Sequence, residues 1–147
     1  MRSIRIVLVC CLALATLGLA ACTSGPEKTW DAFVEAVKDG RSDDALEHMD
    51  LVRMTERVLA EDEEMAAASD MFGGTEGIAS LLEAEFRAAF AEGEFALDDT
   101  DTTLINSEVS DTEIDGDSAT LTIDADGETG TVYMERIDGD WKIVMFE

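Results

Sequence analysis

The chain has 147 residues and carries 34 Asp and Glu against 10 Lys and Arg, a formal net charge of −24. That balance excludes a nucleic-acid binder, which needs clustered Lys and Arg to release phosphate counterions, and it disfavours direct adhesion to anionic headgroups. The ordinary reading of such acidity is solubility in a salty habitat; the sharper one is a surface for a basic partner or for cations.

Residues 1–21 read as a processing segment. Arg2 and Arg5 form a basic start, and Ile6 to Leu19 is an apolar run interrupted only by Thr16 and Gly18. The run falls short of the ~20 residues a spanning helix needs. It ends in Leu19-Ala20-Ala21-Cys22, with small residues ahead of a cut site as a signal peptidase requires. A Cys directly after the cut resembles the lipobox of bacterial lipoproteins. The resemblance implies that the Cys22 thiol takes a diacylglycerol, that the chain is cleaved before it, and that the new amine is acylated. The expected address is a bacterial cell envelope, with the bilayer as partner through lipidated Cys22. One acyl chain binds a bilayer marginally, whereas two or more hold. Thr23, rather than Asp, after the Cys resembles the sorting pattern for the outer membrane of two-membraned bacteria. The competing reading is a secretory leader with an incidental Cys.

The expected plan is a leader over 1–21, a tether over 22–27 and one domain over 28–147. Cys10 and Cys11 leave with the leader, so no thiol remains for a disulfide, a thiolate metal site or a Cys nucleophile. Pro26 opens a helix, where its missing N–H is harmless. Trp30, Phe33, Val34 and Val37 recur at helical spacing as one apolar stripe, and Gly40 ends it. Ser42 is placed to cap a second helix with Ala45, Leu46, Met49 and Val52 on its buried face. Residues 53–72 read as helical but irregular. Gly73 and Gly74 break the pattern, and Thr75 is placed to cap a longer helix with Ile78, Leu81, Leu82, Phe86, Ala89 and Phe90 on one side.

After Gly93 the period changes to two. Phe95 and Leu97 start a short candidate strand, and Asp98 to Thr102 form a polar loop. Strands are expected at 103–110, 112–115, 118–125, 129–137 and 141–146, with 112–115 as a continuation of the strand before it as the alternative, punctuated by Asp115-Gly116, Asp126-Gly127 and Asp138-Gly139. In the last strand, strict alternation puts Trp141, Ile143 and Met145 on one face and Val144 and Phe146 on the other. A strand apolar on both faces must be central or covered twice. The fold class is therefore α+β, with N-terminal helices packed on an antiparallel meander.

Two stretches, Pro26 to Phe33 running on through Val37-Lys38-Asp39-Gly40 to Ala45-Leu46, and Asp138-Gly139-Asp140-Trp141-Lys142-Ile143, together resemble the NTF2-like (SnoaL-like, cystatin-like) superfamily, especially its small lipoproteins. The resemblance implies a strongly curved sheet wrapped by helices into a cone whose mouth is often a small-molecule pocket. Some members of that superfamily are isomerases or dehydratases, and many only bind or dimerise, so fold alone does not assign an activity.

Cone-pocket catalysis needs a general base in an apolar site and a donor for a developing oxyanion. The inventory is thin. His48, the only His, sits among acids and fits an exposed or capping role. Asp31 is off the apolar stripe and fits solvent. Tyr133, the only Tyr, is the candidate hydroxyl donor, against the default of a half-buried sheet residue. Trp30, Phe33, Tyr133 and Trp141 are the candidate pocket residues. Asp111, Glu113, Asp115, Gly116 and Asp117 imitate the start of a calcium loop, but Thr122 stands where the bidentate Glu belongs, so a hairpin is the better reading. Asp98, Asp99 and Asp101 fit a solvated loop. No cofactor and no metal are expected. The leading expectation is a non-enzymatic module binding a small apolar ligand or a protein partner. A cone-pocket enzyme, and a homodimerisation module using an apolar patch at Val144 and Phe146, are the alternatives.

Overall fold

The computed structural model describes residues 25–92, 106–125 and 127–147. The leader, Cys22, the strand expected at Phe95 and Leu97, and the Asp98, Asp99 and Asp101 loop lie outside the described residues. The architecture is α+β: among the described residues, five helices precede a four-stranded antiparallel sheet in the order β1-β2-β3-β4. The helices are α1 (Pro26–Lys38), α2 (Ser42–Glu47), α3 (Leu51–Glu61), α4 (Glu63–Ala68) and α5 (Gly74–Glu92), with a 3-10 turn at Ser69–Phe72. The strands are β1 (Glu108–Asp115), β2 (Ser118–Ala125), β3 (Glu128–Ile137) and β4 (Asp140–Phe146). No helix among the described residues is long and apolar enough to cross a membrane.

Helix α1 starts at Pro26, which is buried, so the packed domain begins two residues inside the expected tether. Its stripe of Trp30, Phe33, Val34 and Val37 lies on the sheet against Ala119, Leu121, Ile123, Val132, Met134, Trp141 and Ile143. Trp30 is 1 % exposed and Leu121 is fully buried. The Trp30, Phe33 and Phe146 rings pack at centroid separations of 5.6, 6.0 and 6.3 Å, which adds aromatic contacts to the apolar burial. Glu27 in the first turn accepts a 2.8 Å hydrogen bond from the Thr112 hydroxyl and ties α1 to β1.

The pieces expected at 103–110 and 112–115 are continuous from Glu108, as the alternative had it, with a bulge between Val109 and Asp111, and 103–105 lie outside the described residues. Asp138 (φ 55°) and Gly139 (φ 99°) both take left-handed backbone in the β3–β4 turn. This is the geometry whose twist suits a two-residue hairpin.

Strand β4 departs from simple alternation. Met134 faces Ile143, Tyr133 faces Met145 and Val132 faces Phe146, so Val144 is one residue too many. The bulge swaps faces midway. Trp141, Ile143 and Phe146 therefore share the α1 side, and Met145 joins Tyr133 on the other. This corrects the alternation read from the sequence. β4 is also not central in the sheet. It is covered twice, by α1 on one face and by α3 on the other, where Arg57 of α3 lies over Tyr133 and pairs with Glu135 at 2.7 Å. Its outer edge is closed as well. Asp50 N–H donates to the Ile143 carbonyl at 2.9 Å, and Ile143 N–H donates to the His48 carbonyl at 2.8 Å. Val144 is fully buried and Phe146 is locked in the aromatic trio. The apolar patch expected there for a homodimer is consumed within one chain.

The helical half is built differently. Asp50 caps α3 by accepting the Arg53 N–H at 2.9 Å, and Asp62 caps α4 by accepting the Met65 N–H at 2.9 Å. Ser42 is not a cap: it is the first residue of α2, and Arg41 stands before it with no capping side chain. Thr75 likewise lies inside α5, which begins at Gly74. At Gly77 a Cβ would sit 1.8 Å from the Phe72 carbonyl oxygen, so only Gly lets the 3-10 turn fold back onto α5. Of the stripe expected on α5, Phe86 and Phe90 pack against the core and Ile78 and Ala89 are half-buried, whereas Leu81 (52 % exposed) and Leu82 face outward and Ala79 is buried instead.

Candidate functional site

The sheet pleat decides where the expected pocket residues go. Trp30 and Phe33 are core residues, and Trp141 is 2 % exposed. Tyr133 is on the opposite face of β3 from Val132 and Met134, because successive strand residues alternate. The four side chains cannot line one pocket, which corrects the grouping made from sequence. The Tyr133 hydroxyl donates to the Glu147 carboxylate at 2.9 Å, and this bond pushes its pKa above the ordinary tyrosine value. Glu147 is exposed and held by reciprocal backbone bonds to Thr131 of 2.6 and 2.8 Å. A tyrosine held neutral against an exposed carboxylate is a strand-end contact. It is not a donor poised beside a buried base. Asp31 is exposed on α1. The Trp30 indole N–H is buried with no hydrogen-bond acceptor among the described residues, an arrangement worth about 1–3 kcal/mol against the fold.

Among the hollows lined by described residues, two adjoin the α2–α3 junction. The smaller, about 330 Å³, lies where α1 meets the start of β4, and Lys28, Thr29, His48, Asp140, Trp141 and Lys142 contribute to its wall. His48 and Trp141 are expected candidates that reach this cavity. Burial first, and the nearby Lys142 charge second, hold its pKa below the ordinary imidazole value, against the opposing pull of Glu47 and Asp44. Lys142 is engaged with the Glu47 carbonyl. Lys28 and Lys142 are offset by Glu47 and Asp140 in the same wall, so this crevice has no strong charge of either sign.

The larger hollow is an open groove of about 840 Å³ between the α2–α3 junction and α5. The short bridge of His48–Asp50 onto β4 positions it, because it pins the junction and presents Met49, Leu51 and Val52 towards α5. Its floor is apolar: Leu46, Met49, Leu51, Val52 and Ala79. Its rim is acidic: Asp43, Glu47, Asp50, Glu76 and Glu83 stand around a single base, Arg87. That guanidinium is already committed to Asp43 and to Glu83, the latter at 3.0 Å. The Asp50 carboxylate is used as the α3 cap. Glu47 and Glu76 have no ion pair among the described residues.

The groove escaped the sequence reading. Leu46 and Met49 were read as core, and Ala79 was passed over between larger residues. The Glu83–Arg87 spacing and the Asp50 cap were visible signals, but the meeting of α2 with α5 is tertiary. No three metal-capable side chains converge among the described residues. The acids of β1, Asp111, Glu113 and Asp115, are all exposed along the strand. Comparison with protein-family models, curated proteins and solved structures finds no match, so the groove is interpreted from its own residues.

Proposed function

We propose that this chain is a lipid-anchored envelope protein whose single domain, an NTF2-like α+β unit, is a non-catalytic binding module. The observation that carries the reading is the groove of about 840 Å³ with an apolar floor, in which Arg87, Asp43 and Glu83 are tied up in ion pairs and Asp50 in a helix cap. Its size suits ligand recognition, for which hollows of roughly 300–1,000 Å³ are usual. The lipobox-like Leu19-Ala20-Ala21-Cys22 supports the anchor.

Two measurements test this. Metabolic labelling with a fatty-acid probe is expected to mark the wild-type chain and not Cys22→Ala; equal labelling removes the anchor. A neutral alkyl diazirine, photolysed with the full-length protein, is expected to label Met49 to Val52 above Val58 and Leu81, which are exposed outside the groove. Labelling that simply follows exposure removes the binding groove.

A further inference from the structure

The groove pairs an apolar floor with a rim of one sign. Five carboxylates face one guanidinium, and that guanidinium is spent on two of them. Charge then selects among occupants. A second copy of this chain brings net −24 to the meeting and is repelled. An anionic bilayer is repelled for the same reason. A neutral apolar ligand would satisfy the floor and leave the rim unused. The groove is also open along its length, so a small ligand stays half in water, whereas a helix laid along it is covered on one face only, as an amphipathic helix requires.

We infer that this groove takes a basic amphipathic helix from a protein partner, its apolar side chains on Met49, Leu51 and Val52 and its lysines or arginines against Glu47, Glu76 and Glu83. The inference rests on the groove being a binding site and adds the class of partner. Glu47 and Glu76 are the rim acids with no competing ion pair among the described residues, so they are the first to take up an incoming charge.

The test uses the full-length lipoprotein in nonionic detergent and a labelled fourteen-residue model peptide of Leu and Lys, patterned as an amphipathic helix. Carbodiimide coupling, which joins lysines directly to carboxylates in contact, maps where it sits. Cross-links are expected to concentrate on Glu47, Glu76 and Glu83. The combined Val52→Asn and Glu76→Lys substitutions, both at exposed positions, are expected to weaken the peptide about tenfold, equivalent to about 1.4 kcal/mol. A peptide of the same composition without a single apolar face, and one with Glu in place of Lys, are expected to bind more weakly than the parent. Cross-links spread across the chain's acids, or affinity indifferent to the groove substitutions, would overturn the inference. Dodecylammonium binding in the groove as tightly as the peptide would also overturn it. Diazirine labelling of the groove without focused cross-links leaves the binding module standing and removes only the basic partner. Loss of both removes the two together.

Discussion

The α1–sheet half and the α3–α5 half of this domain spend their apolar residues in opposite ways. Beneath α1, Trp30, Phe33, Leu121, Val132, Met134 and Ile143 are sealed, none more than 2 % exposed. Across α3, α4, the 3-10 turn and α5, side chains of the same chemistry stay in contact with water: Val58, Met65, Phe72, Leu81 and, at 85 % exposure, Met71. The first half is a core that defines the fold. The second meets that core through Phe86 and Phe90, is held otherwise by caps, by Gly77 and by ion pairs, and leaves apolar surface available. The difference teaches that hydrophobicity in this chain has two uses, and that the groove sits at the seam between them.

The sharpest way to break this comparison is to remove a large side chain from each half. Trp30→Ala is expected to lose about 3–5 kcal/mol and Leu121→Ala about 2–5 kcal/mol, because each leaves a cavity in a closed core. For a domain whose total stability is ordinarily about 5–15 kcal/mol, the first change threatens folding outright. Leu81→Ala is expected to stay within about 0.5 kcal/mol, since half its surface is already in water. Urea unfolding of the three variants against wild type measures all of this. A Leu81→Ala loss as large as that of Leu121→Ala would show that the helical half has a buried core of its own. Trp30→Phe sharpens the result: it should lose clearly less than Trp30→Ala, because it keeps an aromatic ring and removes the orphaned indole N–H.

What the sequence made legible follows the same divide. The α1 stripe, the strands after residue 117 and the Asp138-Gly139 turn were readable, because period and turn chemistry are local and burial there is complete. The β4 bulge was not. Trp141 to Phe146 is apolar at nearly every position, so alternation carries no information about which residue is extra. The outward placement of Leu81 and Leu82 was missed for a related reason. They outrank Ala79 on any hydropathy scale, yet the smaller residue is the buried one. The site suffered most. Trp30, Phe33, Tyr133 and Trp141 were grouped by type, and the pleat separates them. The groove needs Leu46, Val52 and Ala79 to meet across about 30 residues of chain, and no spacing rule announces that.

A smaller effect tests the helical half on its own terms. Asp50→Ala removes the α3 cap and should lose about 1 kcal/mol, while Asp50→Asn, which can still accept the Arg53 N–H, should keep most of it. Fraying at α3 also loosens Leu51 and Val52, so faster amide exchange is expected at Arg53 and Met54 with α1 unchanged. Uniform acceleration through both halves would mean that they unfold as one unit and that the seam is not a boundary in stability.

The smallest expected effect lies at the seam itself, in His48. Its own helix brings Asp44 and Glu47 near, β4 brings Lys142 and Asp140, and α1 brings Lys28. Burial and Lys142 disfavour the imidazolium, the two nearby acids favour it, and the first pair prevails, so the folded pKa lies below the ordinary imidazole value of 6.5. The unfolded chain then binds more protons than the folded one as pH falls below that value. The His48 contribution is complete above pH 6.5 and is lost as pH drops towards the lowered folded pKa. Protonation of many carboxylates changes stability over nearby pH as well, so the informative quantity is the difference between wild type and His48→Gln. Measured in urea at pH 7.5 and at pH 5.0, wild type should lose ground relative to His48→Gln at the lower pH. If it gains instead, Asp44 and Glu47 outweigh burial, and the seam is an acidic surface that welcomes a cation on both of its sides.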